Sequence, residues 1–158
     1  MIVTAELPHY RESFYGALFV LNTLLIVVVE VPLNVAMARW TPRKAHALAV
    51  ALVATGFGAL AVAQSVPAIA ATVVIWTFGE MIFFPTSVAH VAELAPPGRT
   101  GAYMGAMSAT FSLALIVGPW LGTTLLDRAG AAVTWSVMFV IGMTTAVILL
   151  RSSARSDL

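Results

Sequence analysis

The sequence predicts an all-α, polytopic membrane helix bundle of about five transmembrane helices, and three observations lead there. First, 60% of the 158 residues are hydrophobic and 9% are charged, whereas a water-facing surface needs about 25% charged residues. Second, mean hydropathy is +0.96. Third, most charged residues fall between apolar stretches rather than inside them. Each stretch is near the roughly 20 helical residues that cross a hydrocarbon core about 30 Å thick.

In chain order the predicted spans are Ser13–Met37, Ala45–Gln64, Ala68–Ala92, Gly101–Leu126 and Ala131–Leu150. The connections Ala38–Lys44, Ser65–Pro67, Glu93–Thr100 and Asp127–Gly130 are short. They leave no room for a soluble domain, so residues 1–158 read as one transmembrane unit whose consecutive helices are antiparallel neighbours. Met1–Glu12 lacks a basic n-region, and the apolar stretch after it is too long for an h-region. Insertion is therefore expected to be signalled by the first span itself.

Orientation follows from the basic residues. Arg39, Arg43, Lys44, Arg99, Arg151 and Arg155 fall on one side, and Arg11 and Arg128 on the other. The positive-inside rule makes the richer side cytoplasmic, with the C-terminus inside and the N-terminus outside. Trp40, Trp120 and Trp135 lie near span ends, where indole rings favour the interface. Arg39, Arg43 and Lys44 are fewer than the cluster of about four to eight that marks an anionic-lipid site, so setting topology accounts for them.

Several chemistries are excluded at this level. There is no cysteine, hence no disulfide or thiolate. The few basic residues form no stripe with aromatics, so nucleic acid is not a partner. His9, His46 and His90 are scattered without metal-ligand spacing, and no metal or cofactor is implied. Ser87 and His90 are three residues apart, yet no nucleophile elbow or orienting acid accompanies them, so an enzyme is not expected.

Two acids inside the spans carry most of the functional weight. Glu80 sits at the midpoint of its predicted helix, about 18 Å from either end. Facing lipid, an ionised carboxylate there costs at least about 2.5–3.5 kcal/mol. Thr77, Glu80, Phe84 and Ser87 recur at three- and four-residue spacing, which gives a polar-aromatic stripe suited to a cavity wall. Glu30 lies about 10 Å inside the cytoplasmic end of the first span. Asn22, Ile26, Glu30 and Asn34 share a face beside Pro32. Such acids mark a pathway or cross-link helices. Asn22 and Asn34 read as interhelical links. Gly101–Gly105 and Gly118–Gly122 have the spacing that permits close helix approach.

The run WTFGEMIFFPTSVAHVAELAPPGRTGAYMGAMSATFSLALIVGPWLG resembles the tenth and eleventh helices of a major facilitator superfamily transporter. The likeness rests on Gly79-Glu80 followed by Pro85, on Ala95-Pro96 with Arg99, and on Gly101 and Gly105. Gly118-Pro119 with Gly122 is similar to the G-P-x-x-G element of drug:proton antiporters. The segment ARWTPRKAHAL, with Arg39, Arg43 and Lys44, resembles the basic cytoplasmic loop between the eighth and ninth helices. The resemblance runs from about Leu7 to Leu150 and implies helices eight to twelve of the C-terminal half, with Met1–Leu7 as the tail of a seventh helix.

That resemblance implies secondary active transport, with proton-coupled efflux of small molecules and a site between two six-helix halves. Glu80 would be the protonatable or cation-binding group, with Glu30 second. Gly118-Pro119 would help seal the pathway. The partners implied are the lipid bilayer, protons and a small-molecule substrate. Trp76, Met81, Phe83 and Phe84 beside a carboxylate would suit a hydrophobic cation. An N-terminal transporter half is expected as a further partner. The alternative is a small stand-alone membrane assembly protein, oligomeric through its glycine faces, without transport activity.

Overall fold

Pro42 opens one helix and the Ser65-Val66-Pro67 sequence opens the next, because proline fits the first helical turn, where its missing N–H has no bond to make. In the structure, a computed structural model describing residues 11–153, these residues start α2 (Pro42–Ala59) and α3 (Val66–Leu94). The Ser65 hydroxyl accepts from the Ala68 N–H at 3.4 Å and caps α3. At the other end Ala95 is extended, as a residue preceding proline must be. α1 (Arg11–Met37) precedes this pair and α4 (Thr100–Ser153) follows it. The tail Met1–Leu7, His9, Arg155 and the Arg11 side chain lie outside the described residues.

α4 is two helices. Gly130, at φ 80° and ψ 169°, separates arms 100–129 and 131–153. Phe111 of the first arm rests on Phe83 and Phe84 of α3, while Trp135 of the second stacks on Phe57 of α2. In a straight helix residues 111 and 135 would be about 36 Å apart. Phe57 also stacks on Trp76, only about 10 Å along α3 from Phe83. The arms therefore fold back on one another at Gly130. Its dihedrals fall in a region nearly closed to residues with a Cβ. Nothing lies within 4 Å of a Cβ built there, so the strain of Gly130→Ala is conformational alone. That substitution is expected to lower stability by about 1–3 kcal/mol, read as an earlier midpoint of thermal unfolding in micelles. An unchanged midpoint would remove Gly130 as the determinant of the turn.

α2 is the most enclosed element, with Ala45, Ala47, Ala49, Ala54 and Gly56 buried. Its small residues let α3 approach closely, as membrane helices do when little side chain intervenes. On another face the arm 131–153 sets Phe139 against Gly58 and Gly142 against Ala54. The rings of Trp76, Phe57 and Trp135 stack in that order, at 5.6 and 6.0 Å, and tie α3, α2 and the last arm together. Outward faces are apolar: Phe19, Val27, Val31, Val35, Leu115 and Ile116 are exposed, which suits contact with lipid.

The structure corrects the sequence reading in several places. α2 starts at Pro42 and ends at Ala59 rather than running over 45–64. Residues 60–62 form tight turns in which Leu60, Ala61 and Val62 donate to Phe57, Gly58 and Ala59, because the chain must become extended at Ser65 to start α3. The expected four-residue break at 127–130 shrinks to Gly130, since that glycine turns the chain alone. Short connections predict that α1 packs on its successor α2, yet its principal contacts are with α3. Asn22 bonds Thr77 and Asn34 bonds Met81, so residue numbers rise together and the two helices run parallel. Near the end of α1, Leu33 and Met37 pack against the cluster formed by Ala45 and Ala49 of α2 with Ile82 of α3.

By length and composition Ser13–Met37, Val66–Leu94 and Thr100–Arg151 are apolar enough to cross a membrane, the last having 52 residues. That is about 78 Å of helix, enough for two crossings of a 30 Å core. α2 is not among these stretches. Its first turn carries Arg43 and Lys44, and much of the rest is alanine and glycine.

Candidate functional site

Glu80 lies midway along α3 and is half-buried. One turn before it, Thr77 is wholly buried. The Thr77 hydroxyl donates to the Val73 carbonyl at 2.7 Å and accepts from the Asn22 amide of α1 at 2.9 Å. The Asn22 amide also interacts with the Glu80 side chain. One amide thus spans the α1–α3 seam and holds both residues. This network exists because α1 carries a polar residue where it crosses the middle of α3, and an unpaired polar group there would be costly. A small cavity of about 150 Å³ adjoins it, lined by Tyr15, Leu18, Phe19, Asn22, Val73 and Trp76.

The predicted stripe on α3 is parted among three neighbours. Thr77 and Glu80 go with Asn22 of α1. Phe84 is half-exposed and stacks on Phe111 of the arm 100–129, with centroids 5.6 Å apart. Ser87 is buried and meets His46 of α2, with Oγ 3.0 Å from Nε2. The hydroxyl thus bonds a histidine on another helix rather than His90, its neighbour in sequence.

Glu30 is half-exposed on α1. Asn34 donates to the Glu30 carbonyl at 2.8 Å and to the Met81 carbonyl at 3.3 Å. The face bearing Glu30 is therefore bound to α3 one turn beyond its side chain, and Glu30 and Glu80 are not brought together by any direct bond. The sequence reading groups Met81 with Trp76, Phe83 and Phe84 around one cavity, but Met81 is almost wholly buried. Phe83 and Phe84 both meet Phe111 of the arm 100–129, while Trp76 stacks on Phe57 of α2.

Gly101, Gly105, Gly118 and Gly122 have open space around them: a Cβ added at any of the four would meet nothing within 4 Å. Among the described residues the close approaches fall instead at positions such as Gly56 and Gly79. Pro119 lies within the same open arm. Arg39, Arg43, Lys44 and Arg99 are exposed at the end of the bundle where α1 and α3 stop and α2 and the arm 100–129 start. Trp40 and Trp120 are exposed, whereas Trp135 stacks inside the bundle rather than facing the interface.

His46 is the residue that sequence reasoning passed over. A signal existed: α2 and α3 form a hairpin, and reflecting position 46 across a turn near residue 66 lands within a helical turn of Ser87 and His90. Its Nδ1 lies 2.8 Å from the Pro42 carbonyl, and its ring is 5.9 Å from that of His90. Among the described residues no three histidine or acidic side chains gather as a metal would require.

Comparison with known proteins adds independent information. The family model of the Major Facilitator Superfamily matches residues 2–156. The uncharacterized MFS-type transporter YqjV of Bacillus subtilis strain 168 is 29% identical over 119 residues, which cover 75% of this chain and 29% of YqjV. YttB, an uncharacterized MFS-type transporter of the same organism, is 27% identical over 87% of this chain and 36% of its own length. Multidrug resistance protein MdtH of Aeromonas salmonicida strain A449 is 31% identical over 105 residues, 64% of this chain and 26% of MdtH. The chain spans roughly a third of the length of these relatives. No solved structure matches it.

Proposed function

This chain belongs to the major facilitator superfamily, and on that premise we propose that it forms one side of a secondary transporter exporting small molecules in exchange for protons. Glu80 is the carboxylate on which a proton and a cationic substrate compete. The observation that carries this reading is the Asn22–Thr77–Glu80 network. It holds an ionisable group midway along α3, where intramembrane acids mark ion and substrate paths. The likeness to a protein named for multidrug resistance supports a small-molecule cargo.

In this reading five helices cross the bilayer, with the end bearing Arg39, Arg43, Lys44 and Arg99 cytoplasmic. Glu30 lies nearer that end and serves as a second acidic station. The open glycines at 101, 105, 118 and 122 face helices from outside these residues, and Pro119 shapes that surface for sealing. The second side of the pathway comes from such helices, so the 158 residues act as part of a larger assembly.

Ethidium, a hydrophobic cation, tests the central claim by fluorescence polarisation on the solubilised protein. Removing the charge in Glu80→Gln is expected to weaken binding about tenfold, equivalent to about 1.4 kcal/mol. Gln64→Ala, in the turn after α2, should leave it within twofold. Undiminished ethidium binding by Glu80→Gln would refute the role of Glu80.

A further inference from the structure

A second cavity, of about 520 Å³, lies between α2, the C-terminal half of α3 and the arm 100–129, away from Glu80. Its volume is within the range of small-molecule sites, about 300–1,000 Å³. One end is polar, formed by His46, Ser87 and His90; the walls include Phe83, Tyr103 and Phe111. The polar groups are not equivalent. The Pro42 carbonyl can only accept, so His46 Nδ1 carries a proton and donates to it. His46 Nε2 then accepts from the Ser87 hydroxyl, which leaves neutral His46 with no free ring nitrogen. His90 contacts the His46 ring edge-on, and no hydrogen bond occupies its own ring nitrogens among the described residues. A donor is thus available at the polar end of an aromatic chamber.

We propose that this cavity binds a small aromatic carboxylate, whose ring enters the chamber beside Phe83 and Phe111 and whose carboxylate accepts from the His90 ring N–H. Three observations select an anion. The lining holds two imidazoles and no acid. Arg43 and Lys44 precede His46 by one turn or less, and Arg99 precedes Tyr103 by one turn; clustered positive charge raises the local concentration of anions. The acid nearest in sequence, Glu93, is exposed and is not part of the lining. The ring preference follows from the walls: Phe83 and Phe111 meet edge-to-face at 6.2 Å and 81°, a geometry that extends readily to a third ring. The site is chemically opposite to the acidic one at Glu80, and it stands without the transport reading.

The probe is 2-naphthoate, with 2-naphthylmethylammonium as its counterpart of opposite charge. Each is titrated calorimetrically into the full chain in maltoside micelles against protein-free micelles. Saturable naphthoate binding is expected, with the ammonium compound at least tenfold weaker. His90→Leu should weaken naphthoate about tenfold, whereas His90→Gln, which keeps an N–H donor, should stay within threefold of the parent. Absence of saturable binding, equal binding of the two charges, or undiminished binding by His90→Leu would each overturn the assignment. Failure of ethidium to respond to Glu80→Gln would leave this result untouched, because the two probes read different cavities.

Discussion

Gly79→Leu is expected to be the most damaging single substitution in the bundle. A Cβ at this position would lie 2.7 Å from the Ala49 carbonyl oxygen and 2.9 Å from the Val53 nitrogen. Both are backbone atoms of α2, so no side-chain rotation relieves the contact. The whole helix must move, and overpacking of this kind costs about 3 kcal/mol or more when the backbone has to shift. Glu80 follows directly, so its network with Asn22 moves as well. The expected result is loss of a cooperative thermal transition in micelles and loss of ethidium binding together. Gly118→Leu supplies the contrast: nothing is within 4 Å of its Cβ position, and the isolated chain should keep its midpoint within about 0.5 kcal/mol. Equal stability of the two variants would mean that α2 and α3 do not approach as described.

Phe57→Ala should have the second largest effect. Its ring lies between those of Trp76 and Trp135, nearly parallel to both, at interplanar angles of 13° and 10°. Truncation removes aromatic contacts to two helices at once and leaves a void between them. A buried Phe→Ala change costs about 3–5 kcal/mol, and partial exposure of Phe57 sets the expectation near the lower limit. Fluorescence gives a direct readout in a Trp40→Phe, Trp120→Phe background, where only Trp76 and Trp135 emit. Their emission should shift to the red as water enters the space left by the Phe57 ring. An unshifted spectrum with an unchanged midpoint would remove the stack as a structural tie.

How much of this was legible beforehand depends on which forces left a mark in the chain. The number of helical rods was legible, because a charged or turn-forming residue is expensive in hydrocarbon and therefore marks each break. Gly130 illustrates the limit: the sequence spreads the turn across four residues, but helix continues to the residue before it, since a single glycine with positive φ suffices. The pairing of α1 with α3 was not legible. Periodicity tells which face of a helix is buried but not which helix covers it, and Asn22 would have looked the same opposite any partner. The stripe through Thr77, Glu80, Phe84 and Ser87 was real as spacing, yet three different elements cover its members. His46 and His90 became neighbours through the α2–α3 hairpin, which the short turn already implied.

The composition of α2 has a consequence for how the protein enters the bilayer. A segment of 18 residues that carries Arg43 and Lys44 in its first turn, and in which eight residues are alanine or glycine, gains little by partitioning into hydrocarbon alone. Once α3 lies along it, with Trp76 over Gly56 and Ser87 on His46, the weakly apolar surface is shielded and the imidazole is satisfied. On the proposed five-span reading, α2 is therefore expected to enter the bilayer together with α3, as one hairpin.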